Sequence, residues 1–121
     1  FSPAVAPDVQ VNGELTLGEN IGDLGGLAIA YEAWRIAVGD DEPEPVDGIP
    51  AEQRFFFGWA QCWRTIMRPE AMRERVATDP HSPDEIRCNQ TSRNIDQFHQ
   101  AFGTQPGDAM WLAPEERVRI W

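Results

Sequence analysis

The chain has 121 residues, enough for one modest domain, and its 41% hydrophobic content with five Trp and six Phe supplies a core, which excludes a disordered tail. Twenty acidic against ten basic residues leave a net charge of −10, which repels phosphate backbones and anionic headgroups and excludes nucleic acid and membrane surfaces as expected partners. No stretch approaches the ~20 consecutive apolar residues of a membrane span, and the opening FSPAVAPDVQVNG carries neither Met nor a signal-peptide pattern, so the chain reads as a fragment or a processed product.

Residues 1–12, with Pro3 and Pro7, read as extended or turn structure ending at the turn signal Asn12-Gly13. A first helix is expected over about 16–38, with Thr16 as its N-cap and Gly39 as its stop. Leu27, Ala30, Tyr31, Trp34 and Val38 form its buried stripe. GDDEPEPVDGIP is a Pro-rich acidic loop, a solvated surface segment rather than a calcium site, since EF-hand spacing is lacking. A second helix is expected over about 51–67; FFFGWAQCWRTIM is apolar on nearly every side and so belongs between layers.

Pro69 opens a short third helix, PEAMRERVA. TDPHSPDEIRCNQTSRN reads mostly as loop and turn, with two prolines flanking His81. IDQFHQAF then places Ile95, Phe98 and Phe102 on one face of a helix that stops at Gly103, and the aromatic C-terminus is expected to dock. The chain is therefore mainly α. Cys62 and Cys88 lack metal-ligand spacing and are read as free thiols.

Glu19 and Asp23, an i, i+4 pair, point from one helix face ~6 Å apart. A solvated acidic stripe is the simplest explanation for such a pair. Here Gly18, Gly22, Gly25 and Gly26 surround it, and each interior Gly costs about 1 kcal/mol relative to Ala. That cost favours a face packed closely against a second element, where the carboxylates need partners. A metal with histidine ligands is the strongest such partner. His81 and His99 form neither H-x-x-x-H nor H-E-x-x-H, so this chain alone does not complete a zinc site. His99 reads as a surface-edge histidine of the last helix. His81, fixed between prolines with Arg87 six residues on, suits recognition of a carbonyl or oxyanion, with a hydrogen-bonded structural loop as the alternative.

VNGELTLGENIGDLGGL, FFFGWAQCWRTIMRPE, DPHSPDEIRCNQTSRN and APEERVRIW, in this order, resemble the C-terminal part of the neprilysin and endothelin-converting-enzyme family of zinc metallopeptidases. The resemblance implies the C-terminal helical part of a thermolysin-like catalytic domain, with residues 1–121 forming a single partial domain. It implies zinc as cofactor, Glu19 as a metal ligand, and Asp23 as the acid supporting a ligating histidine. His81 is implied to stabilise the oxyanion and Arg87 to bind a substrate carbonyl. Trp63, with Cys62 beside it, is implied to wall the pocket for the residue after the scissile bond.

The family's H-E-x-x-H lies upstream of this chain, so the expected partners are a peptide substrate and the N-terminal remainder of the same polypeptide, and the chain alone is expected to be inactive. Gly22 replaces the Ala of the family's ENIAD. Val118 and Arg64 stand where extracellular members carry cysteines, which favours a bacterial oligopeptidase-like member, cytoplasmic or exported. A noncatalytic interaction module that docks a partner through the aromatic second helix is the rival expectation.

Overall fold

The computed structural model describes residues 4–6, 9–41 and 43–120; Pro3, Pro7 and Trp121, with the expectations placed on them, lie outside that set. Two short antiparallel strands, β1 (Ala4–Ala6) and β2 (Val9–Gln10), pair Ala4 with Gln10 and Ala6 with Val9. Five helices follow: α1 (Gly13–Val38), α2 (Ala51–Cys62), α3 (Pro69–Thr78), α4 (Asp84–Arg93) and α5 (Asp96–Phe102). A turn of 3-10 helix, Pro114–Glu116, lies in the C-terminal segment.

The start of α1 differs from the sequence expectation. Asn12, read as half of a turn, is the N-cap: its side chain accepts from the backbone N–H groups of Glu14 at 3.0 Å and Leu15 at 3.2 Å. Thr16 sits instead inside the first turn, buried, with its hydroxyl donating back to the Asn12 carbonyl. At the other end Gly39 takes φ +67 and donates to the Arg35 carbonyl, which stops the helix where expected.

α1 packs on α4, α2 on α5, and α4 on both α2 and α5. The core between them holds Leu24, Leu27 and Tyr31 of α1, Phe56 of α2, and Ile95 and Phe98 around α5, with Trp34 and Ile120 among the residues at its edge. Phe56 is its centre, edge-on to Phe98 at 5.3 Å and stacked on Tyr31 at 5.7 Å. Ala30, expected in the buried stripe, is exposed; Leu24 takes the place, one helical turn before Leu27 and two before Tyr31. Away from this core α1 carries a second apolar face, where Ile29 and Ile36 are 57% and 80% exposed and a side chain at Gly18, Gly22 or Gly26 would meet open space.

α2 ends at Cys62 rather than near residue 67. The N–H of Trp63 turns back to the Ala60 and Gln61 carbonyls, its ring stacks edge-on to Trp59, and Thr65 donates to Asp84. These contacts draw residues 63–68 off the helix axis and leave Ile66 fully exposed. The acidic loop closes in a two-residue hairpin, Val46 bridging Ile49, with Asp47 and Gly48 both at positive φ; Arg54 pins it by donating to the Ile49 carbonyl at 2.7 Å.

The segment 78–94 is a larger correction: most of it is α4, not loop. Asp84 and Glu85 lie in its first turn, favourable for the helix dipole, and polar Thr91 and Ser92 are buried against its neighbours. His99 is likewise buried rather than at a surface edge. Its Nε2 donates to the Arg93 carbonyl at 2.8 Å, its Nδ1 meets the Thr104 hydroxyl, and the Trp111 ring covers it at 5.3 Å. The C-terminal segment supplies that cover, held by Arg117 and Arg119 on Asp96, each at 2.7 Å.

Candidate active site

A chain of side-chain hydrogen bonds sets residues 79–83 against the first half of α1. Asn20 donates to the Thr16 hydroxyl at 3.2 Å and accepts from Ser82, which is fully buried, at 2.8 Å. Glu19 precedes Asn20 and His81 precedes Ser82, so the pairing brings their neighbours together: His81 Nε2 lies 3.1 Å from Glu19 Oε2. Both side chains are open to solvent, 37% and 47% exposed.

Behind the imidazole stands Asp79. Its Oδ1 accepts from the His81 backbone N–H at 2.8 Å and from the ring Nδ1 at 2.6 Å. Those two bonds, backbone first, hold the Asp79 carboxyl below its usual pKa, with the nearby Arg75 adding to the effect. An ionised carboxylate only accepts, so Nδ1 carries a proton and Nε2 is aimed at Glu19.

Asp23, one turn after Glu19, faces α4. Arg87 grips it in a two-pronged ion pair, Nε to Oδ2 at 2.6 Å and Nη2 to Oδ1 at 2.7 Å, with the side chains only 14% and 11% exposed. This bond is the main reason the guanidinium pKa is raised. The same guanidinium lies 4.3 Å over the Trp63 ring. Trp63 in turn lines a cleft of about 880 Å³ with Met67, Met72, Pro83, Ile86 and Cys88. Burial pushes the Cys88 thiol pKa up. Cys62 is exposed and is not among the cleft-lining residues; its thiol contacts the Gly58 carbonyl.

Glu19, Asp23, His81, Arg87 and Trp63 thus lie on one flank where α1, the 79–83 segment and α4 meet. Sequence reasoning missed Asp79. The signal was available: an Asp two residues before a His, with Pro80 between, has the spacing of a turn in which the carboxylate accepts from the second N–H. It also missed Arg75, which touches both Asp79 and Asp84. Among the described residues no three His, Cys, Asp or Glu side chains converge as a metal site, so the donors present do not by themselves make a zinc centre.

The sequence pattern of Peptidase family M13 matches residues 1–118. Endothelin-converting enzyme 1 of Homo sapiens is 40% identical over 114 residues, covering 92% of this chain and 14% of that protein. Neutral endopeptidase of Lactobacillus helveticus is 38% identical over 112 residues, covering 93% of this chain and 16% of that protein. The solved structure of Mycobacterium tuberculosis zinc metalloprotease Zmp1 in an open state superimposes with a TM-score of 0.92 at 47% identity, covering all of this chain and 19% of that one. The PepO structure from Lactobacillus rhamnosis gives a TM-score of 0.81 at 34% identity, covering 100% of this chain and 18% of that one. The chain therefore spans less than a fifth of the length of these proteins. Mainly helical in sequence and structure, and matched along almost all of its length, it belongs to Peptidase family M13.

Proposed function

We propose that the chain is the C-terminal part of the catalytic domain of a zinc metalloendopeptidase, residues 1–121 forming a partial domain that the N-terminal remainder of the polypeptide completes. The observation that carries this reading is the placement of Glu19 beside an imidazole backed by a carboxylate, with an arginine–aspartate pair one helical turn away, in a chain of this family. The second apolar face of α1, with its uncovered glycines, supports the same reading. Small residues beside exposed Ile29 and Ile36 suit the close approach of another backbone.

In this proposal Glu19 supplies one zinc ligand, and the remaining ligands and the general base come from the remainder of the polypeptide. Zinc, when bound, polarises a scissile carbonyl and lowers the pKa of its water. The residues of this chain do the rest of what falls to it. Asp79 holds the His81 ring by Nδ1, and in the doubly protonated imidazolium Nε2 presents a donor to developing negative charge. Arg87, fixed by Asp23 and by the Trp63 face, presents its remaining N–H groups toward a peptide carbonyl. Each Asp23 oxygen that accepts from Arg87 has a further lone pair, which suits support of a ligating histidine. Trp63 and its cleft take an apolar substrate side chain.

The test is hydrolysis of an unstructured peptide by the full-length polypeptide and by the 121-residue chain. The full-length protein is expected to cleave it, to stop on treatment with a chelator and to recover with zinc, while the chain alone does nothing. Chelator-insensitive cleavage, or none by the metal-loaded full-length protein, would refute the reading; cleavage by the chain alone would refute its inactivity.

A further inference from the structure

Asp79, which fixes His81, is itself held. Its Oδ2 lies 3.4 Å from Nε of Arg75, in the last turn of α3, while its Oδ1 is committed to His81. Arg75 is tied in turn: Nη1 is 3.0 Å from Oδ1 of Asp84, a carboxylate with a side chain only 10% exposed at the first position of α4. The other oxygen of Asp84 accepts from the Thr65 hydroxyl in the segment between α2 and α3. Thr65, Asp84, Arg75, Asp79 and His81 therefore form one unbroken series of polar contacts that ends at the imidazole facing Glu19.

A carboxylate gripped at one oxygen only can rotate about its Cβ–Cγ bond and carry the imidazole with it. Gripped at both, it has one orientation. Arg75 is suited to this because its planar fork reaches two carboxylates with different nitrogens, and its side chain is three-quarters buried. We propose that Arg75 is a positioning residue for the peptidase reaction: by bridging Asp79 and Asp84 it sets the orientation in which His81 meets the developing oxyanion. The inference rests on the peptidase reading above. A clamp that merely fastens α3 to α4 is the competing explanation, and it would change stability without changing the chemical step selectively.

The experiment uses the full-length polypeptide loaded with zinc. Arg75→Met should lower kcat roughly tenfold while KM stays within about twofold, because the lost contact matters most where charge develops. Affinity for a phosphonamidate peptide, a tetrahedral anion, should fall by the same factor, and affinity for a product peptide should hold. Arg75→Lys, with one nitrogen in place of the two that reach Asp79 and Asp84, should recover only part of the kcat. In a His81→Ala background Arg75→Met should change kcat by less than about twofold, since the group it positions is gone. Thr65→Val, which frees Asp84 without touching Arg75, carries the same test if Arg75→Met does not fold, with a kcat loss of about threefold expected.

An Arg75→Met enzyme with unchanged kcat, a loss that the phosphonamidate affinity does not follow, or an additive loss in the His81→Ala background would overturn the proposal. The two layers separate cleanly. If His81→Ala itself keeps full kcat, the reading of the site fails; if His81→Ala loses kcat and Arg75→Met does not, only the role of Arg75 fails.

Discussion

Arg87→Met isolates the ion pair that joins α1 to α4. Methionine keeps the length and most of the apolar volume of the stem but leaves Asp23, 11% exposed in its side chain, without its two-pronged donor. An uncompensated carboxylate at such a site costs about 3 kcal/mol, and loss of the guanidinium over the Trp63 ring adds about 1 kcal/mol, for a total of about 4 kcal/mol. Stability scales at roughly 0.05–0.15 kcal/mol per residue, so this is a large share of what a chain of this size has. With a urea slope of about 2 kcal/mol/M, the unfolding midpoint followed by circular dichroism should drop by about 2 M.

Asp23→Leu combined with Arg87→Met removes the stranded charge and should regain about 2 kcal/mol relative to the sum of the single effects. A midpoint shift below about 0.3 M for Arg87→Met, or strict additivity in the double variant, would show that the pair is not the buried, mutually dependent contact described above.

Three further outcomes follow from the packing and the charges. Phe56→Ala empties the centre of the aromatic cluster, where the residue is 3% exposed, and should cost about 4 kcal/mol in urea unfolding; a loss under about 1 kcal/mol would mean that the core closes over the gap. The Arg117 hydrogen bond, opposed by slight burial and reinforced by Arg119, holds the Asp96 carboxyl below its usual pKa of about 4, so its contribution is present above about pH 4 and disappears as pH falls through the lower folded value. Asp96→Asn should therefore flatten the loss of stability on acidification below pH 4, and an unchanged slope would count against the pairing. Maleimide should modify exposed Cys62 well before Cys88, whose thiol is half-buried with a raised pKa; equal rates in the folded chain would contradict that placement.

Elements with strong punctuation were legible in the sequence. Gly39 ends α1, Pro69 opens α3 at its first helical position, and Gly103 ends α5 in the left-handed conformation. α4 was not legible because its helix is stabilised from outside. Asn89, Thr91 and Ser92 are weak helix formers without apolar periodicity, and burial of Thr91 and Ser92 against neighbouring helices overrides that preference. The shortened α2 and the buried His99 have the same origin, since Asp84, Arg87 and Trp111 lie far along the chain from the residues they constrain.

At the candidate site the i, i+4 spacing put Glu19 and Asp23 on one side of a helix, and the prolines around His81 marked a fixed segment. The fold adds what spacing does not carry. It divides the two acids, one toward His81 and one toward Arg87, and it recruits Asp79 and Arg75 through a turn and a helix end that pattern alone did not connect.

Glu19 decides whether this flank belongs to a metal centre. Zinc content and peptide hydrolysis should be measured together on the full-length polypeptide and its Glu19→Ala variant, purified side by side. The variant is expected to retain its fold while zinc falls from about one per chain to near zero and hydrolysis falls with it. A Glu19→Ala protein that keeps its full zinc and its full turnover would contradict the assignment.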